Sequence, residues 1–132
     1  MARPFATLTS SDASTLNADH LPLVLHAVQG DCGVLHGHMA RANPLFREGV
    51  SDLDVLVVFS GPHSYISPSW YPSKQDHGKA VPTWNYIKVH ARGTLRFTTD
   101  ESWLLSHLAQ LTHQHEQKTA QPWTLSDAPR PI

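Results

Sequence analysis

The fold of this chain is decided by the stretch Thr83-Trp84-Asn85-Tyr86-Ile87-Lys88-Val89-His90-Ala91. Aromatic and β-branched residues recur in it with a period of two, which is typical of a β-strand because successive side chains point to opposite faces. Trp84 and Tyr86 fall on one face, whereas Ile87 and Val89 fall on the other. We therefore predict one long strand over residues 83–97.

Shorter elements on either side predict an antiparallel sheet around that strand. The run at 53–59 is apolar on both faces and predicts a central strand. Further strands are predicted at 5–9, 21–25, 33–38 and 63–66, with Pro22 indicating an edge position or a bulge. The predicted turns are at 10–12, 29–33 and 61–62.

One long helix is predicted after the sheet. Thr99 or Asp100 can cap its N-terminus, and an apolar stripe carries it to about Gln117. The stripe consists of Trp103, Leu104, Leu108 and Leu111. We also predict a short helix over 40–48, a polar loop tip over 75–79 and an irregular tail from about 118. The 132 residues fit a single domain, residues 1–132, which is mainly β with one long helix (α+β) and forms a small antiparallel barrel.

Charge and composition argue against several classes of protein. Ten Lys and Arg against eleven Asp and Glu residues give a net charge of −1, with no basic cluster, so direct DNA binding is not expected. No apolar run is long enough to span a membrane, and no signal peptide is visible. The single cysteine, Cys32, excludes an intrachain disulfide and is predicted to be buried. We expect a cytoplasmic protein.

A segment rich in tryptophan, tyrosine and proline is the main candidate for a binding site. It runs from Ile66 to Lys74 and is followed by a second segment over 81–86. Proline makes the backbone rigid, and the aromatic rings offer flat faces with one polar tip each. Ser67, Ser69, Ser73 and Lys74 could bind a phosphate or ligand hydroxyls. The segment therefore predicts a pocket for a planar ligand, and the alternative is a rigid loop that packs on the end of the barrel.

Arg41 and a group of histidines supply further candidates. Arg41 follows a strand, and a guanidinium at such a turn suits a phosphate, although a surface ion pair with Glu48 or Asp52 is the alternative. The His36-Gly37-His38 spacing could chelate a metal with a third ligand from His26, His63 or His90, or the two rings could be hydrogen-bonding wall residues. The helix histidines, His107, His113 and His115, are predicted to lie on a solvated surface. No nucleophile system or phosphate-binding loop is recognisable.

Three of these stretches closely resemble the PaiB family, whose members are described as FMN-binding negative transcriptional regulators. The first is Leu35-His36-Gly37-His38-Met39-Ala40-Arg41-Ala42-Asn43-Pro44, and the others cover 61–74 and 81–86. The resemblance extends from about Phe5 to Asp127. Family members are typically longer at both ends, so we expect a shortened member.

The resemblance implies a fold, a cofactor and an assembly. The fold would be the FMN-binding split barrel, antiparallel and Greek-key-like, which is shared with pyridoxamine-phosphate oxidases. Such barrels are usually homodimers with the flavin held between subunits, and Arg41 would meet the flavin phosphate. The residues expected to bind FMN are His36, His38, Ala40, Arg41, Asn43, Ser67, Trp70, Tyr71, Lys74, Thr83, Trp84 and Asn85.

The leading hypothesis is therefore a homodimeric FMN-binding protein with a regulatory or weak redox role. One alternative is a DNA-associated repressor without flavin, and another is a haem or metal-binding protein that uses His36 and His38. No acid or base can be assigned to proton transfer, so the catalytic residues are unknown. A flavin oxidoreductase would differ from the leading hypothesis only by turnover.

Overall fold

The computed structural model describes residues 3–11, 15–46 and 52–129. These residues form six strands: β1 (Phe5–Ser11), β2 (Leu16–Pro22), β3 (Val24–His26), β4 (Val34–His36), β5 (Leu53–Ile66) and β6 (Thr83–Leu95). They also form the short helix α1 (Ser73–His77), the long helix α2 (Glu101–Glu116), and 3₁₀ turns at Pro68–Trp70 and Leu125–Asp127. None of the described helices is long and apolar enough to cross a membrane.

The strands form one antiparallel sheet and one separate hairpin. The sheet has the order β2-β1-β5-β6, and β3 pairs only with β4. This confirms the prediction of a mainly β, antiparallel protein with one long helix. It also confirms the central position of the 53–59 strand and the edge position of Pro22, which ends β2. Closure into a split barrel stays a prediction.

Strands β5 and β6 pair along almost their whole length, in two parts. Residues 53–60 pair with 88–95, and residues 63–66 pair with 83–86, with a register shift between Ser60 and His63. We call the first part, together with β1 and β2, the sheet body, and the second part the outer ribbon. The predicted turn at 61–62 is wrong because Gly61 and Pro62 lie within β5, where the register shift tolerates a proline that cannot donate a ladder hydrogen bond.

The predicted helix over 40–48 is also wrong for residues 40–46, which form turns, whereas residues 47 and 48 lie outside the described ranges. Asn43 explains the difference. Its Oδ1 accepts a hydrogen bond from the Leu45 amide at 2.8 Å, and its Nδ2 donates to Asp19 at 2.7 Å. An asparagine that bonds the backbone two residues on favours a turn over a helix, and Pro44 follows it.

Three other boundaries differ from the predictions. The predicted turn at 10–12 is wrong for Ser10 and Ser11, which extend β1. Asp12 lies outside the described residues. The predicted strand over 21–25 divides at Leu23 between β2 and β3, and β2 begins as early as Leu16. Helix α1 replaces much of the predicted loop tip.

The prediction that Cys32 is buried is wrong, because its side chain is exposed.

A compact set of aliphatic side chains forms the core between the sheet body and the β3–β4 region. The buried members are Ala6, Leu8, Leu21, Leu23, Leu45 and Val57. Helix α2 begins as predicted with Asp100 as its cap, since Asp100 Oδ1 accepts a hydrogen bond from the Trp103 amide at 2.8 Å. This bond and a second from the Ser102 hydroxyl lower the pKa of the Asp100 carboxyl, with the hydroxyl bond the larger cause.

Candidate functional site

A large apolar cavity lies over one face of the sheet body. Its volume is about 1170 Å³. Residues of β1, β5 and β6 form one wall, and the β3–β4 hairpin and the start of α2 form the others. The predicted two-residue period of β6 explains this wall, because Ile87, Val89 and Ala91 share the face that lines it. A concave apolar space with a few polar groups is the usual form of a small-molecule site.

Four of the predicted site residues line this cavity: His36, His38, Ala40 and Arg41. They belong to the segment 36–46, which leaves β4 and enters the turns at 40–46. We call it the Arg41 segment. Gly37 allows this segment to approach the core, since a β-carbon there would lie 2.6 Å from Leu23 Cδ2 and 2.9 Å from Leu21 Cδ1. The segment is therefore held close to the core and presents polar side chains on both sides of Gly37.

Arg41 is exposed at this cavity. Of its two predicted ion-pair partners, Asp52 accepts a hydrogen bond from Arg96 at 2.8 Å, and Glu48 lies outside the described residues. The described part of the chain shows no ion pair for Arg41. Its guanidinium is thus placed where it could meet an anion.

Asn43 does not line the cavity. Its side chain is used for the two hydrogen bonds that shape the turn and join it to Asp19 of β2. The structure therefore gives Asn43 a role in holding the turn that follows Arg41.

The other predicted site residues lie at the far end of the outer ribbon. They are Ser67, Trp70, Tyr71, Lys74, Thr83, Trp84 and Asn85. The ladder brings the two segments together, because Ile66 pairs with Thr83 and Tyr65 with Trp84. Trp70 and Trp84 are 65% and 55% exposed. None of these seven residues lines the cavity, and within the described residues no contact joins them to Arg41.

The rings of the outer ribbon contact one another. Trp84 Nε1 donates a hydrogen bond to His63 Nδ1 at 3.2 Å, and the two rings are stacked with centroids 5.8 Å apart. Tyr65 lies on the other side at 6.2 Å. At the base of the loop, Ser67 Oγ accepts a hydrogen bond from the Ser69 amide and so caps the 3₁₀ turn. These contacts give the aromatic surface a defined shape although it is exposed.

A cluster of four histidines beside the cavity was not predicted. The rings of His26 and His36 have centroids 4.0 Å apart, and His38 Nδ1 lies 3.3 Å from His107 Nε2. Trp103 stacks on His107 at 5.4 Å with an angle of 12° between the rings. We call these four residues, His26, His36, His38 and His107, the histidine cluster.

The prediction that the helix histidines are solvated is wrong for His107, which is only 3% exposed, and right for His113 and His115, which are exposed. The spacing of His107 from Trp103 and Leu111 could have predicted its burial. His107 lies four residues after Trp103 and four before Leu111, so it falls on the buried stripe of α2. Leu111 is buried with it, whereas Leu104, which was predicted to belong to the stripe, is 36% exposed.

Burial is the main influence on the charge of the cluster. It lowers the pKa of His107 to about 4, with smaller contributions from the charges of His38, His36 and His26. The pKa of His36 is also lowered, first by burial and then by His26. His107 is therefore uncharged near neutral pH.

The described residues include no group of three or more His, Cys, Asp or Glu side chains arranged to hold a metal ion. Of the third ligands proposed from sequence, His26 lies beside His36 with ring centroids 4.0 Å apart, whereas His63 belongs to the outer ribbon and His90 to the sheet body. The metal and haem hypothesis thus gains no support from the arrangement of His36 and His38.

Comparison with known proteins gives a consistent family. A family model described as "Putative FMN-binding domain" matches residues 1–132. A protein of Emericella nidulans is 34% identical over 96% of this chain, and a protein of Saccharomyces cerevisiae is 39% identical over 76%. The Bacillus subtilis protein named "Protease synthase and sporulation protein PAI 2" is 42% identical over 67%. The chain spans 64%, 60% and 40% of the lengths of these three relatives.

Proposed function

This chain belongs to the PaiB-like family of FMN-binding domains, and from that membership we propose that it binds FMN between two copies of itself and has a regulatory role. The observation that carries the proposal is the separation of the two groups of polar and aromatic residues. The Arg41 group lies at the cavity and consists of His36, His38, Ala40 and Arg41. The Trp84 group lies at the end of the outer ribbon and consists of Ser67, Trp70, Tyr71, Lys74, Thr83, Trp84 and Asn85. A site formed by both groups would need one from each subunit.

The residues at the cavity have the chemistry that a flavin phosphate requires. Arg41 offers a guanidinium, which binds phosphate oxygens through two parallel hydrogen bonds. His36 and His38 add ring nitrogens on the same segment. In this proposal Arg41 binds the phosphate, and Asn43 holds the turn that carries it.

The apolar and aromatic surfaces suit the flavin ring and its side chain. The wall of the cavity is aliphatic, and Trp70 and Trp84 present exposed indole faces. Ser67, Tyr71, Lys74, Thr83 and Asn85 would bind ring and ribityl oxygens from the ribbon. Bound FMN would supply one-electron and two-electron transfer, whereas the chain would supply binding, orientation and exclusion of water.

The outer ribbon, together with the adjoining residues 87–90 of β6, is the part of the surface that a second copy would cover. Residues 83–90 are all exposed and include Trp84, Tyr86, Ile87 and Val89. Exposed apolar patches of this kind often mark protein interfaces, where tryptophan and tyrosine are enriched. The ribbon of one copy would then reach the Arg41 segment of the other.

Titration of the purified protein with FMN tests the binding. We expect quenching of flavin fluorescence and shifted absorption bands on binding. Arg41→Ala should weaken binding about tenfold or more, since a hydrogen bond to a charged group is worth roughly 1.5–3 kcal/mol. Arg92→Ala is the matched control, because Arg92 lines the same cavity from β6. Equal losses in both variants would contradict the role given to Arg41.

Mixing two variants tests whether the site is shared. Arg41→Ala and Trp84→Ala each weaken every site in their own homodimers. If each site takes Arg41 from one subunit and Trp84 from the other, a mixed dimer has one intact site and one doubly altered site. An equal mixture should therefore recover roughly a quarter of the wild-type sites. No recovery above the separate variants would place both residues in sites of a single subunit.

The regulatory role would act through the flavin or a protein partner. The net charge of −1 does not favour an interface with DNA phosphates. We expect duplex DNA to bind weakly and with little dependence on salt. Tight binding that weakens steeply with salt would instead favour the alternative, a DNA-associated repressor.

A further inference from the structure

Helix α2 contacts the Arg41 segment through two residues that lie one turn apart. Trp103 has its ring centroid 5.2 Å from that of His36. His107 approaches His38 at 3.3 Å between Nε2 and Nδ1. Because His36 and His38 flank the tightly packed Gly37, these contacts join the helix to both sides of the point where the segment meets the core.

The position of the proton on His107 follows from burial. His107 Nδ1 is buried and has no hydrogen-bond partner within the described residues. A buried N–H without an acceptor is costly, so the favoured tautomer has the proton on Nε2 and donates it to His38 Nδ1. His38 then accepts the bond with a lone pair, and one proton between the two rings maintains it.

Arg41 lies only three residues after His38. Between them the chain enters a turn in which the Asn43 amide donates to the Ala40 carbonyl at 2.8 Å. The turn is fixed at its far end by the bonds of Asn43 to Leu45 and Asp19. The near end is fixed at His38, so a shift of His38 changes the direction in which Arg41 leaves the segment.

We propose that His107 is a positioning residue for the FMN site, which holds His38 by a hydrogen bond and thereby sets the position of Arg41. The inference rests on the proposed function, because it assigns Arg41 to the flavin phosphate. It adds that α2, which supplies none of the residues expected from sequence to bind FMN, controls the affinity.

Two substitutions of His107 test whether its hydrogen bond to His38 sets the affinity for FMN. In His107→Gln the amide nitrogen occupies the place of Nε2 and, by rotation, the amide can either donate to His38 or accept from it. In His107→Asn the amide occupies the place of Nδ1 and does not reach His38. His113→Gln, on an exposed position of the same helix, is the matched control.

We expect the FMN dissociation constant at pH 7.5 to rise roughly fivefold in the Asn variant and to stay within about twofold of wild type in the Gln variant. Equal affinities in the Asn and Gln variants would overturn the proposal.

Amide hydrogen exchange without FMN supplies a second readout that does not depend on flavin binding. Residues 37–43 should exchange faster in the Asn variant than in wild type and the Gln variant. If wild type binds no FMN, the proposed function fails, and faster exchange still supports the link from His107 to the Arg41 segment. Unchanged exchange in the Asn variant would overturn that link whether or not FMN binds.

Discussion

Strands β5 and β6 run through both the sheet body and the outer ribbon, and yet the two parts differ in burial. In the sheet body Leu8 of β1 and Val57 of β5 are 4% and 5% exposed, whereas in the outer ribbon Tyr65 and Trp84 are 47% and 55% exposed. Pairing of β5 with β6 continues across both parts, but the burial of β5 ends near the register shift between Ser60 and His63, and most of β6 is exposed in both parts. Apolar residues therefore stabilise the fold in the sheet body and remain available for binding in the outer ribbon.

Leu8→Ala should give the largest loss of stability, because it removes a side chain from the middle of the core. We expect the free energy of unfolding to fall by about 3 kcal/mol, from lost burial together with the cavity left behind. Chemical denaturation followed by circular dichroism measures it. Tyr86→Ala, at a position of the outer ribbon that is 66% exposed, is the control and should cost less than about 1 kcal/mol. Similar losses in both would remove the distinction between body and ribbon.

Acidification should reduce stability next, through the histidine cluster. The pKa of His107 is about 4 in the folded protein and 6.5 in its ordinary environment. Between these values the unfolded chain binds a proton that the folded chain does not, so stability falls as the pH drops. The expected loss between pH 8 and pH 5 is about 2 kcal/mol.

His107→Gln should remove that part of the pH dependence, because a glutamine side chain does not titrate. Denaturation curves at pH 8 and pH 5 measure the difference, and His113→Gln should leave it unchanged. If the Gln variant keeps the full pH dependence, other groups cause it. The change in unfolding free energy between pH 8 and pH 5 could then not be attributed to His107.

Gly61→Ala should have a moderate effect at the boundary between the two parts. The new β-carbon would lie 2.8 Å from Ile87 Cβ and 3.2 Å from the Ile87 carbonyl oxygen, so the strands must separate locally. We expect a cost of about 1.5 kcal/mol, measured by denaturation. Gly93→Ala is the matched control, because no atom lies within 4 Å of its added carbon. A loss in Gly93→Ala as large as in Gly61→Ala would show that glycine in a strand, rather than close contact, causes the effect.

Trp84→Ala should change stability least, although it removes the largest side chain of the four. Its contacts are exposed cross-strand and ring contacts, which are worth less than about 1 kcal/mol. The same variant should bind FMN clearly more weakly. A stability loss comparable to that of Leu8→Ala would mean that Trp84 is part of a core, and it would contradict the distinction between the sheet body and the outer ribbon.

The fold was largely predictable where one signal dominated. The two-residue period of β6, the apolar run of β5 and the Asp100 cap of α2 all predicted their elements correctly. The failures occurred where local signals compete with pairing. Gly61 and Pro62 resemble a turn, yet pairing with β6 keeps them in a strand, and β2 has few apolar residues before Leu21 because it lies at an edge.

The site was less predictable because its parts are far apart in sequence. The resemblance indicated which segments matter, and four residues around Arg41 do meet at one cavity. It could not indicate that the Trp84 group lies elsewhere. His107 was missed because a histidine on a helix is usually solvated, whereas this one is 3% exposed and its Nε2 lies 3.3 Å from Nδ1 of His38, 69 residues away in the sequence.

The pairing of β1 with β5 has a consequence for the rate of folding. Thr9 Oγ1 donates a hydrogen bond to the Leu56 carbonyl across 47 residues, so this contact closes a long loop. Closing it costs chain entropy before any burial is gained, whereas only four residues of sequence separate β1 from β2. We expect the β1–β2 hairpin to form early and the docking of β1 on β5 to limit the rate. Substitutions at Val57 should then slow refolding more than substitutions in the outer ribbon, as stopped-flow measurements would record.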